Sequence, residues 1–158
     1  MNALIITANS NLVEKRLSGK ERELEDPNGI VPALAGELSL ALKTFHRALI
    51  LAEAGDDPTL QNPYTLLFAV IGDPRFAWTS GLSQLIVRLD EMLADGEISS
   101  REDLLPFRGE VARLLGEEEG EDSEFRLRYL IALQNAPDVA LATGGLRRVL
   151  AKLPDKAA

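Results

Sequence analysis

Apolar positions recur along this chain in rows at helical spacing. Between Thr79 and Gly96, Leu82, Leu85, Ile86, Leu89, Met92 and Leu93 stand at i, i+3, i+4, i+7, i+10 and i+11, which places them on one stripe of a 3.6-residue helix. Ser83, Gln84, Arg88, Asp90 and Glu91 lie off that stripe, so the segment must bury one face against other helices. Thr79 or Ser80 can cap its start, and Gly96 can take the left-handed conformation that ends it.

The same rows recur on both sides. Behind Pro32, which suits a first helical turn, Leu34, Leu38, Ala41, Leu42, Phe45, Leu49 and Ala52 form a long stripe. Leu40, Ile50 and Leu51 widen it to nearly all sides, so a helix over 33–53 is expected to be central. Asn62-Pro63 reads as a cap and first helical residue for a short, almost wholly apolar helix, Tyr64 to Ile71, which Gly72-Asp73-Pro74 ends. Arg75-Phe76-Ala77-Trp78 then forms an aromatic corner leading into the helix over 80–95.

Further on, Ser99 and Glu102 have the spacing of a capping box. Pro106 disfavours an α conformation at Leu105 and predicts a kink or restart there, after which Phe107, Val111, Leu114 and Leu115 keep one face apolar until Gly116. Ser123 can cap a helix with Phe125, Tyr129, Ala132, Leu133 and Ala136 on one face, supplemented by Leu127, Leu130 and Ile131, so that it reads as broadly buried. Asn135 to Asp138 breaks it. Val139 to Ala142 leads into Thr143-Gly144-Gly145, read as the start of a last helix that turns Leu146, Val149, Leu150 and Leu153 inward and stops at Pro154. At the other end, Leu4, Ala8, Leu12 and Arg16 favour helix over strand for 3–17. Ser18-Gly19 stops it, and a charged run, Lys20 to Asp26, precedes the Pro27-Asn28-Gly29 turn.

The prediction is a single all-α domain over 1–158, a compact multi-helix bundle of about six or seven helices. Its core would be the helices at 33–53, 80–95 and 123–136, with 1–30 a peripheral helix and turn and 155–158 frayed.

Composition narrows the function. The chain has no cysteine, so disulfides, thiolate metal sites and cysteine nucleophiles are excluded. A net charge of −8 argues against binding nucleic acid. The charge is uneven: residues 125–158 hold six basic side chains and two acidic, and the first 124 hold eleven and twenty-three. A basic section docking beside an acidic body accounts for that. The N-terminal stretch does not read as a signal peptide, and no window approaches the roughly 20 apolar residues of a membrane span, so a soluble cytoplasmic protein without membrane contact is expected.

Chemistry-bearing patterns are sparse. The chain lacks GxSxG, P-loop, GxGxxG, HExxH and EF-hand signatures. The single histidine, His46, has Lys43 three residues before it, which excludes an ExxH pair, and it reads as a partly buried side chain rather than a ligand or base. The acidic run Glu117 to Asp122 reads as a solvated loop, since it lacks alternating calcium-ligand spacing. No catalytic residue, metal or cofactor is expected.

Two stretches are candidate sites. Gly144 and Gly145, with Arg147 and Arg148, could bind an anion at a helix start, although capping by Thr143 explains the same residues. Arg75 and Trp78, with Arg88 contributing, could wall a ligand pocket, although a hydrophobic plug at a helix junction is the plainer reading.

Arg75-Phe76-Ala77-Trp78 followed by Leu82-Ser83-Gln84-Leu85-Ile86-Val87-Arg88-Leu89-Asp90-Glu91, with Arg128-Tyr129-Leu130 and Pro137-Asp138-Val139 later, resembles a group of uncharacterised bacterial all-helical proteins. The resemblance covers roughly residues 73–150. It implies a bacterial cytoplasmic origin and carries no activity. The function expected is non-enzymatic association, with a second copy or another protein, to which Val87, opposite the stripe, adds a hint. The alternative is a small-molecule or anion-binding protein, or an enzyme, using a pocket near Arg75 and Trp78.

Overall fold

The computed structural model describes residues 29–117 and 123–153. The helix expected over 3–17, the charged run 20–26, most of the acidic loop and the end at 155–158 lie outside them. Six helices follow in order: α1 (Ile30–Ala54), α2 (Pro63–Gly72), α3 (Ser80–Ala94), α4 (Leu105–Leu114), α5 (Ser123–Asn135) and α6 (Pro137–Leu150). Three 3-10 turns, Pro58–Leu60, Pro74–Thr79 and Arg101–Leu104, join some of them. Among the described residues there is no strand, and the fold is an all-α bundle of six helices.

The helix ends show how local chemistry sets the frame. Asn62 accepts from the Tyr64 N–H at 2.9 Å with Pro63 as first helical residue, and Asp73 accepts from the Arg75 N–H at 2.9 Å. Gly96 and Gly116 end their segments with φ of 71° and 78°, a region that costs glycine little. Three local expectations change. Neither Thr79 nor Ser80 caps α3 with its side chain: the preceding 3-10 turn runs straight into the helix, and the Thr79 hydroxyl donates to the Phe76 carbonyl at 2.8 Å. The capping box is Ser100 with Asp103, not Ser99 with Glu102, because the short Asp103 carboxylate reaches the N–H groups of both Ser99 and Ser100, at 2.9 and 3.0 Å. The restart at Pro106 is present, yet Leu105 is α-helical (φ −58°, ψ −44°) because the 3-10 turn delivers it already in register.

The core is built around α1, which turns Val31, Leu34, Ala35, Leu38, Leu42, Phe45 and Leu49 inward. Its most extensive packing is with α6 and then α3. The three helices expected to form the core all contribute to it, and α6 joins them, packing on α1 more extensively than α5 does, through Val139, Ala142, Leu146 and Leu150. Among the described side chains of α5 Phe125, Tyr129 and Ala132 are the buried ones, while Leu127, Leu130 and Ile131 are exposed. That helix is therefore not broadly buried, because its neighbours cover one face. Phe45, Tyr129, Phe125 and Trp78 form an aromatic chain through the core, with successive centroids 5.5, 6.3 and 5.4 Å apart. A smaller cluster of Ile50, Ala54, Leu60 and Phe76 underlies α2.

The basic section does dock on the acidic part. Arg128 pairs with Glu53 at 3.6 Å, Arg147 with Glu117 at 3.1 Å and Lys152 with Glu37 at 2.9 Å.

Candidate association surface

The structure disperses Arg75, Trp78 and Arg88. Arg75 reaches the C-terminal end of α1, donating to the Glu53 and Ala54 carbonyls and pairing with Asp57 at 3.1 Å. Trp78 is buried in the main core against Phe125. Arg88 pairs with Glu110 and lies over the Phe107 ring, 5.6 Å from its centroid. Among the described residues the three side chains have separate sets of partners.

The anion site loses its premise. α6 runs unbroken from Pro137 to Leu150, so Gly144 and Gly145 are helix interior and their N–H groups are not the free ones of a helix start. Proline at the first position sets the true N-terminus, and Asp138 in that turn already supplies the negative charge a helix start favours. Thr143 is not a cap: its hydroxyl donates to the Val139 carbonyl and bonds the Tyr129 hydroxyl, both at 2.8 Å. Arg147 is engaged with Glu117, and Arg148 folds back along its own helix toward Gly145.

His46 and Ser83 form a pair that sequence reasoning did not foresee. Ser83 Oγ lies 2.8 Å from His46 Nε2, joining α1 to α3, and burial lowers the imidazole pKa. A serine beside a neutral histidine has nucleophile-and-base geometry, but the third element of such a site is a group that orients the base. Among the described residues His46 bonds to Ser83 alone. A second tie joins the same two helices: Asp90 accepts from Ser39 and pairs with Lys43 at 2.8 Å, and these partners, Lys43 first, hold its carboxyl below the usual range. Among the described residues no three His, Asp or Glu side chains gather as a metal site would require.

The most unusual surface is α2. Tyr64, Leu67, Phe68 and Ile71 stand at i, i+3, i+4 and i+7 and face solvent, 74, 54, 71 and 74% exposed. No residue of the helix is fully buried. Leu66, Ala69 and Val70, half-buried, hold it to the small cluster beneath. The ends are nonetheless firmly built, by Asn62 and Pro63 at the start and by Asp73 at the finish. Beside it, a groove of about 610 Å³ runs between α1 and α2, lined by His46, Ile50, Leu51, Leu60, Leu66 and Leu67 among others. A second groove of similar volume lies between α1 and α6, bordered by the exposed Leu40 and Leu141, and the two meet at Arg47 and Leu51. The spacing of the exposed stripe was readable in the sequence. Its direction was not, since every position of α2 is uncharged.

Among the described residues, fold and surface together define an all-α bundle of six helices with an exposed apolar helix. No family model, curated protein or solved structure matches the chain.

Proposed function

We propose that this is a non-enzymatic helical protein of the bacterial cytoplasm that acts by association, with itself or with a protein partner, through the exposed face of α2. The observation that carries the reading is the row Tyr64, Leu67, Phe68 and Ile71, four large apolar side chains left in water on a capped helix. Contiguous apolar patches of this kind mark interaction surfaces. The net charge of −8 speaks against nucleic acid as the partner. Among the described residues no helix is long and apolar enough to cross a membrane. The test compares wild type with Phe68→Glu by light scattering across micromolar concentrations and by affinity capture. Association that the substitution abolishes supports the reading; a wild type that neither self-associates nor captures a partner removes it.

A second reading, a small-molecule binder or an enzyme, moves the site expected beside Arg75 and Trp78 to the Ser83–His46 pair that joins α1 and α3. Thermal-shift screening against metabolites, nucleotides and metal ions tests it, because a ligand selective for the native state raises the melting temperature. Labelling of Ser83 by a serine-directed organophosphorus probe is its chemical counterpart.

A further inference from the structure

We infer that the partner of α2 is a second copy of this chain, seated antiparallel across a two-fold axis that passes between Leu67 and Phe68. The inference rests on the reading of α2 as an association surface and adds the identity and geometry of the partner.

Charge is the first argument. Each copy carries −8, so two copies repel unless they meet where charge is absent. Of the six described helices, α2 alone contains no Asp, Glu, Lys or Arg. The acids and base nearest its C-terminal end are occupied within the protomer: Asp73 accepts from the Arg75 N–H, and Asp57 pairs with the Arg75 guanidinium. The same facts weigh against a membrane surface as occupant, because interfacial helices carry Lys and Arg beside their apolar face.

Self-complementarity is the second. A two-fold contact requires the patch to fit its own reversed copy. Read along α2 the stripe is aromatic, aliphatic, aromatic, aliphatic: Tyr64, Leu67, Phe68, Ile71. Turned end to end, Tyr64 faces Ile71 of the partner subunit and Leu67 faces Phe68 of the partner subunit, so every aromatic ring meets a branched aliphatic side chain. The antiparallel order also sets opposite helix-dipole ends side by side.

Area is the third. A large side chain presents about 150–250 Å² when free, so the four at their observed exposures leave roughly 500 Å² of apolar surface in water. Two such faces bury on the order of 1,000 Å², the lower bound for a specific protein interface. The result is a reversible dimer rather than an obligate one.

Sedimentation of the full chain from about 1 to about 100 µM reads the equilibrium directly. The expected result is a concentration-dependent dimer, weakened at least about thirtyfold by Phe68→Glu with the circular dichroism spectrum unchanged. The absence of native cysteine makes crosslinking specific. Leu67→Cys, beside the axis, forms a disulfide-linked dimer under mild oxidation; Tyr64→Cys does so poorly alone but efficiently when mixed with Ile71→Cys. A monomeric wild type at 100 µM overturns the inference, as does a dimer that Phe68→Glu leaves intact. Tyr64→Cys linking to itself in preference to Ile71→Cys overturns the antiparallel arrangement. A monomeric wild type that binds phosphatidylcholine–phosphatidylglycerol vesicles through Phe68 replaces the second copy by a membrane. A monomer that captures a protein partner in a Phe68-dependent way removes the second copy while keeping the association reading; a monomer that captures nothing removes both.

Discussion

Arg75 closes the C-terminal end of α1, giving its guanidinium to the Glu53 and Ala54 carbonyls and to Asp57. Those carbonyls belong to the last turn of a helix, where a cation also meets the negative end of the helix dipole. Partial exposure to water screens the arrangement, so Arg75→Ala is expected to cost about 1 kcal/mol in chemical denaturation and to leave the spectrum of the native state unchanged. His46 makes a different prediction. Burial lowers its folded pKa below the unfolded value of 6.5, so the unfolded chain binds the proton more readily. Its contribution is fully present above about pH 6.5 and declines as pH falls through the window between the unfolded and folded values. The depressed carboxylates act in the same direction but lower, below about pH 4: Asp57 held by Thr59, Asp90 by Lys43 and Ser39, and Asp103, whose burial is outweighed by the N–H groups of Ser99 and Ser100. Melting temperatures between pH 7.5 and pH 5 should therefore fall for wild type, and His46→Gln should flatten that upper step while leaving the acid one.

At the level of single elements, α6 offers the cleanest check. Were Gly144 part of a helix start, alanine there would be neutral or harmful. In a helix interior, with nothing within 4 Å of where its Cβ would stand, Gly144→Ala should stabilise the protein by about 0.5–1 kcal/mol. Thermal denaturation distinguishes the two. Thr-Gly-Gly mimics a cap, whereas Pro137 carries the real signal and the burial of Val139, Ala142, Leu146 and Leu150 outweighs the weak propensity of two glycines. α3 shows the opposite case. Its stripe was plain in the sequence: Leu82, Leu85, Ile86 and Leu89 are buried and Met92 and Leu93 half-buried against the same core, with Val87 outside it and exposed. α2 and α5 show the limit of periodicity. Leu127, Leu130 and Ile131 continue the apolar character of α5 onto its outer face, and the stripe on α2 is as regular as any core stripe; both nevertheless point to water.

The whole molecule depends on the seam between α1 and α6. Leu146, fully buried there, should cost about 3 kcal/mol when cut to alanine, from lost apolar burial together with the cavity left behind. Urea unfolding checks the size. By contrast, raising salt should change stability little, because the ion pairs Arg147–Glu117 and Lys152–Glu37 that join the basic section to the acidic part are about half exposed on both sides, and only Arg128–Glu53 is partly covered. Helix type and most helix ends follow from the chain alone, since caps, prolines and periodicity act over a few residues, as Asn62-Pro63, Gly96 and the row from Leu82 to Leu89 show. Core partnership and exposure required the assembled bundle. Apolar spacing states that a helix has a face to bury, but which face is covered depends on neighbours distant in sequence. That is why α6 became the main partner of α1, why Arg75, Trp78 and Arg88 went to three separate environments, and why α2 was left with its stripe in water.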